Sequence, residues 1–207
     1  MQGYFVTGTD TDIGKTHAAV KLIRLWQGEG KRVLAMKPVA SGCEVLPDGR
    51  WRNSDVERLV AATGQTDLEL MNPYRFLPPI SPHIAARQAG VDISLDVIGE
   101  RYRRLAEEAD VVLVEGAGGW LAPLTDTLFM QDLAQALRLP VILVVGMRLG
   151  CINHALLTVR AIAAAGLPLA GWVANRVVPE QAAYAENLAT LTEHIAAPLL
   201  LEIPYEG

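Results

Sequence analysis

The chain has 207 residues, of which 51% are hydrophobic and 20% charged, and its formal net charge is −5. That length supports one domain with a substantial core, and an acidic balance without any run of Lys or Arg argues against nucleic acid or an anionic membrane as a partner. Cys43 and Cys151 are the only cysteines, too few for a disulfide framework or a Cys-based zinc site; with no apolar stretch of membrane-spanning length and an N-terminus that leads straight into an apolar run, neither a span nor a signal peptide is expected, and a cytoplasmic location is.

In chain order the pattern predicts a strand over 3–7, a helix over 15–28, a strand over 32–36, and helices over 54–63, 81–89 and 94–108. A strand over 110–115, a helix over 130–137, a strand over 140–145, a helix over 152–165, a strand over 169–174, a helix over 180–195 and a strand over 199–202 follow. Val111-Val112-Leu113-Val114 and Val141-Ile142-Leu143-Val144-Val145 are apolar throughout, as central parallel strands buried on both faces are. The alternation implies an α/β, doubly wound, mostly parallel sheet with helices on both faces, in one domain over 1–207. The stretch 37–53 reads as the longest irregular loop.

Directly after the first strand, Gly8-Thr9-Asp10-Thr11-Asp12-Ile13-Gly14-Lys15-Thr16 forms a glycine-rich loop that runs into a helix. Polyphosphate needs this arrangement: glycines let backbone wrap the anion, N–H groups at the helix start point at it, Lys15 supplies fixed positive charge and the Thr16 hydroxyl suits magnesium. Five residues rather than the usual four separate Gly8 from Gly14. Asp10 and Asp12 are unexpected beside phosphates. Two readings stand: they cap a turn or face solvent, or they face a cationic second substrate such as an amine, which Thr11 is placed to hydrogen-bond as well.

Ligands of such sheets sit outside the carboxyl ends of the strands, so the residues that end each strand are the candidates. Lys37, before Pro38, projects from the second strand tip and either adds a second ammonium on the crest that carries Lys15 or is a solvated surface lysine; Ser41 caps a turn or donates to an anionic substrate group. Glu115 ends the third strand, and Thr16, Asp55 and Glu115 make a hard, oxygen-ligand magnesium site, with Ser54 or Asp55 alternatively capping the helix they open. Asn175 ends a later strand with an amide that either matches the N6/N7 edge of adenine or serves the turn, where Asn is common. Taken alone, His17 and His83 indicate nothing.

The ordered motifs Tyr4-Phe5-Val6-Thr7-Gly8-Thr9-Asp10-Thr11 through Lys15-Thr16, Lys37-Pro38-Val39-Ala40-Ser41-Gly42, Asn53-Ser54-Asp55, Asn72-Pro73-Tyr74, Ser81-Pro82-His83, Val114-Glu115-Gly116-Ala117-Gly118-Gly119-Trp120, Leu149-Gly150-Cys151-Ile152-Asn153-His154-Ala155 and Gly171-Trp172-Val173-Ala174-Asn175 together resemble the dethiobiotin synthetase family. The resemblance implies a cytoplasmic, homodimeric, phosphate-loop ligase of biotin biosynthesis that uses ATP and magnesium. Its reaction carboxylates 7,8-diaminononanoate with CO2 and closes the ureido ring through a carbamate and a carbamic–phosphoric anhydride.

Carried over by residue, the resemblance gives Lys37, Lys15 and Thr11 catalytic roles and assigns the substrate to Thr11, Asp12 and Ser41. It places Gly150, Cys151, Ile152 and Asn153 across the dimer interface on the substrate carboxylate. The nucleotide lies along Asp12, Ile13, Gly14, Lys15, Thr16 and His17, beside Asp55 and Glu115, and along Gly116, Ala117 and Gly118. Asn175 and Arg176, with Pro204, Tyr205 and Glu206, take the adenine, and Thr16, Asp55 and Glu115 hold the metal. Two departures stand out: Asp12 replaces the longer Glu frequent in relatives, and the sequence stops soon after Pro204, where relatives continue with another helix.

Competing classes fit less well. Related amidoligases carry a glutaminase domain for which this chain has no motif. Partition-type switch ATPases place a lysine early in the phosphate loop, where this chain has Thr9 and Asp10, and often end in a basic amphipathic helix, whereas residues 180–195 contain neither Lys nor Arg.

Overall fold

A computed structural model describes residues 2–206. The elements run β1 (Gln2–Gly8), α1 (Lys15–Gly28), β2 (Val33–Met36), β3 (Val39–Ala40), β4 (Glu44–Val45), β5 (Trp51–Arg52), α2 (Ser54–Thr63), α3 (Leu68–Met71) and β6 (Tyr74–Arg75). Then come α4 (Pro82–Ala89), α5 (Leu95–Glu108), β7 (Val111–Glu115), α6 (Met130–Leu137), β8 (Val141–Met147), α7 (Cys151–Ala164), β9 (Leu169–Arg176), α8 (Tyr184–His194) and β10 (Leu199–Ile203).

Six strands form one sheet in the order β10-β9-β8-β1-β7-β2, and every pairing in it is parallel. Successive residues of a strand serve opposite faces. Val112 and Val114 join the core that α5 and α6 cover, while Val111 and Leu113 join the core beneath α1 and α2. Every residue of β7 and β8 is buried, which is why these strands carry no polar alternation. The fold is thus the doubly wound sheet expected, with its strands and long helices close to their predicted bounds.

The stretch 37–53 is only partly irregular. Val39–Ala40 pairs with Tyr74–Arg75 in a parallel ladder, and Glu44–Val45 pairs with Trp51–Arg52 as an antiparallel hairpin. These strands are two residues long, too short for periodicity to announce them. Helix α8 begins at Tyr184 rather than at 180, after Ala183 with φ 54°, a left-handed value that interrupts the helical backbone.

The central strand β1 lies between β8 and β7, so its phosphate loop opens at the crest beside the end of β7, with the end of β2 next along on the same side. That crest holds Lys37 and Glu115.

Candidate active site

A cavity of about 710 Å³ opens at this crest, lined by the phosphate loop, the residues after β2, the start of α2 and the turn after β7. Thr11, Asp12, Gly14, Lys15, Thr16 and His17 contribute from the loop and α1, and Lys37, Ser41, Asp55 and Glu115 from the other segments. Ala117 and Gly118 complete that wall, as does Arg58, which sequence reasoning missed. Its position three residues after Asp55 on α2 puts both on one helical face, a signal the spacing did carry.

Local geometry explains the loop. Gly14 caps α1 in left-handed conformation, φ 81°, and a Cβ there would run into Asn175 Nδ2; only glycine meets both demands. Asn175 Nδ2 donates to the Ile13 carbonyl at 2.8 Å, so the amide braces the loop from beneath. Lys15 Nζ donates to the Asp10 carbonyl at 2.9 Å. The two loop aspartates part company. The Asp10 carboxylate accepts from Thr11 N at 2.8 Å and from Arg148 at 2.6 Å, which makes it a turn residue paired away from the cavity. Asp12, exposed and with φ 56°, lines the cavity.

At the centre, Thr16 Oγ1 donates to Glu115 Oε1 at 2.7 Å. Lys37 Nζ donates to the same oxygen at 2.5 Å and to Asp55 Oδ2 at 3.0 Å. The Lys37 backbone is fixed on both sides, its N–H donating to the Met71 carbonyl at 2.8 Å and its carbonyl accepting from Asn72 Nδ2 at 2.6 Å. The cap of α2 is Asn53 rather than Ser54 or Asp55: its side chain accepts from Asp55 N and Val56 N, leaving the Asp55 carboxylate free to face Lys37.

Burial weighs on both lysines and on Asp55. Burial, followed by the neighbouring Lys37 charge, lowers Lys15 to about 8. Burial also presses on Lys37, but the Glu115 and Asp55 carboxylates outweigh it and hold that ammonium above the usual lysine range. Burial of Asp55 is likewise overcome, mainly by Lys37, so its carboxyl stays below the usual range.

Glu115 Oε2 is buried without any hydrogen-bond partner, as is Ser41 Oγ. A buried carboxylate oxygen with nothing to bind wants a cation or donor. Among the described residues no three His, Cys, Asp or Glu side chains gather, so a metal here would rest on Thr16, Asp55 and Glu115 and take its other ligands from phosphate and water, as magnesium does. The donor set fits.

The remaining candidates spread outward. Gly116 packs against Phe5 and Ile13 is buried. Arg176 turns to the Pro179 carbonyl and stacks over Tyr184 at 4.7 Å. Pro204 and Tyr205 are exposed beyond β10, and Glu206 pairs with Lys21 at 2.8 Å and approaches His17 Nε2 at 3.4 Å. His17 Nδ1 accepts from Arg58 Nη2 at 3.1 Å; because arginine only donates, the ring carries its proton on Nε2. Burial lowers His17 below its ordinary value. Gly150, Cys151, Ile152 and Asn153 open α7 and do not line this cavity.

The family model described as "AAA domain" matches residues 2–207. The ATP-dependent dethiobiotin synthetase BioD of Nitrosospira multiformis is 53% identical over 99% of this chain and 89% of its own length, and BioD 1 of Escherichia coli is 52% identical over 98% and 90%. Among solved structures, the MinC:MinD cell division protein complex of Aquifex aeolicus superposes with TM-score 0.63 at 13% identity, covering 100% of this chain and 82% of that one. The signal recognition particle receptor FtsY of Elizabethkingia anophelis gives TM-score 0.52 at 16% identity, and this chain spans only 55% of its length. At such identities the two structures share the fold alone.

Proposed function

The chain belongs to the ATP-dependent dethiobiotin synthetase family, and from that premise we propose that it is an ATP-dependent carbon–nitrogen ligase that converts 7,8-diaminononanoate and CO2 to dethiobiotin, with release of ADP and phosphate. One amine adds to CO2 and loses a proton, giving a carbamate. A carbamate oxygen attacks the γ-phosphorus and ADP leaves. The second amine then attacks the carbonyl carbon of the mixed anhydride, and phosphate departs as the ring closes.

The observation that carries this reading is the convergence of Lys15, Lys37, Asp55, Glu115 and Thr16 in one cavity at the strand ends. An anionic carbamate beside a triphosphate requires concentrated positive charge. Lys15 and the N–H groups that open α1 receive the β- and γ-phosphates. Thr16, Asp55 and Glu115 would hold a magnesium ion, which would neutralise phosphate charge there. Lys37, whose ammonium is held in the cavity by the Glu115 and Asp55 carboxylates, offers its positive charge to the transferring phosphoryl group and the carbamate. Phosphoryl transfer leaves the protein mainly positioning and charge stabilisation to perform.

Thr11, Asp12 and Ser41 receive the diamine, with the Asp12 carboxylate facing an ammonium. Ile13, Gly14, His17, Gly116, Ala117 and Gly118 frame the nucleotide, and Asn175, Arg176, Pro204, Tyr205 and Glu206 take the adenine end. The Asn175 amide keeps a second N–H and its oxygen beyond the bond to Ile13. A homodimer accounts for Gly150, Cys151, Ile152 and Asn153, which lie off their own cavity beside the 95% exposed Leu149 and reach the substrate carboxylate of the neighbouring subunit. The reading places the enzyme in the cytoplasm; among the described residues no helix is long and apolar enough to cross a membrane.

Incubation with carbon-labelled bicarbonate, Mg-ATP and the diamine tests this reading. It predicts a labelled cyclic urea formed one-for-one with ADP; ADP without labelled product refutes it.

A further inference from the structure

The cavity has a wall that the charged cluster does not explain, formed by Pro79, Ile80, Ser81 and Pro82. Ser81 holds the cap position of α4, with the extended backbone that a residue before proline adopts, φ −55° and ψ 137°. Serine there ordinarily accepts a hydrogen bond from the first turn of the helix. Ser81 makes no such bond. Its Oγ instead lies 2.9 Å from His83 Nδ1.

A hydroxyl has one proton and two acceptor sites. When His83 Nδ1 is unprotonated, the Ser81 proton is committed to it and only lone pairs remain for the cavity. Thr16 likewise gives its proton away, but to Glu115 at the charged cluster, whereas Ser41 Oγ has no partner and keeps its proton uncommitted. A hydroxyl so oriented favours an N–H donor and disfavours carboxylate or phosphate.

We propose that Ser81 is a substrate-binding residue that accepts a hydrogen bond from an amine of the substrate, and that His83 is a positioning residue that fixes the hydroxyl for this task. The assignment rests on the diamine reading above. It gives the Ser81-Pro82-His83 motif a role, with Pro82 holding the two side chains on the same turn.

The test is steady-state kinetics on the full chain with Mg-ATP, bicarbonate and 7,8-diaminononanoate. Ser81→Ala should lower kcat/KM for the diamine by about tenfold to a hundredfold, the loss typical of a hydrogen bond to a charged group, with the KM for ATP unchanged. His83→Phe should reproduce part of that loss, and His83→Asn, which keeps an acceptor near the Nδ1 position, should recover it. Because His83 acts only through Ser81, the Ser81→Ala/His83→Phe double variant should be no worse than Ser81→Ala alone. Additive losses, a parallel rise in the KM for ATP, or unchanged diamine kinetics in Ser81→Ala overturn the assignment. A wild-type enzyme that leaves the diamine untouched overturns the diamine reading itself, and the assignment with it.

Discussion

Replacing Lys37 with Met probes the centre of the site without touching the nucleotide loop. The Lys37 and Glu115 side chains are 6% and 0% exposed and meet at 2.5 Å. Removing the ammonium leaves the Glu115 carboxylate buried with the Thr16 hydroxyl as its remaining donor. Breaking a buried pair from one side costs about 3–5 kcal/mol. For a chain of this size each kcal/mol moves Tm by roughly 2–4 °C, so Tm should fall by about 6–20 °C. Asp55, with a side chain 40% exposed, adds little because solvent screens it. Thermal unfolding followed by circular dichroism, with EDTA or with millimolar magnesium and no nucleotide, provides the assay. Magnesium should restore part of the lost Tm in Lys37→Met, whose carboxylates are free to bind it, and leave wild type unmoved. The Lys37→Met/Glu115→Gln double variant should melt above Lys37→Met, since the uncompensated charge is gone. A Lys37→Met protein that melts with wild type, or ignores magnesium, refutes the reasoning.

Three further outcomes follow from the same geometry. Lys15, lowered to about 8 in the free protein, is charged below that pH and largely neutral above it; ATP binding should therefore weaken as pH rises through about 8 and take up a proton there, measurable by calorimetry in buffers of different ionisation enthalpy. Constant affinity and no proton uptake would contradict it. Glu115→Gln should raise the magnesium concentration needed for half-maximal activity, and an unchanged metal titration would remove Glu115 from the metal's ligands. Asn175→Ala orphans the Ile13 carbonyl, so it should cost about 1–3 kcal/mol of stability and raise the KM for ATP; calorimetry and kinetics identical to wild type would show that the brace is dispensable.

Much of this was legible because its causes are local. The apolar runs that became β7 and β8 and the Gly14-Lys15-Thr16 sequence carry their own signals, and strand ends point to Lys37 and Glu115 through one topological rule. What the sequence did not reveal depends on residues far apart in the chain. Nothing near Asp10 announces Arg148, and nothing near Ile13 announces the Asn175 brace. That Lys37 is held between Glu115 and Asp55 required three strand- and helix-end positions to be placed against each other. The cap of α2 went to Asn53 over its equally eligible neighbours because Asn53 alone keeps an extended backbone, φ −147° and ψ 132°.

The most direct measurement follows an isotope through the proposed anhydride. With freshly dissolved oxygen-18 bicarbonate, Mg-ATP and the diamine, mass analysis of inorganic phosphate should find one labelled oxygen in each phosphate formed with cyclic urea, because the carbamate oxygen that attacked phosphorus leaves with it. Unlabelled phosphate accompanying labelled cyclic urea would contradict the account.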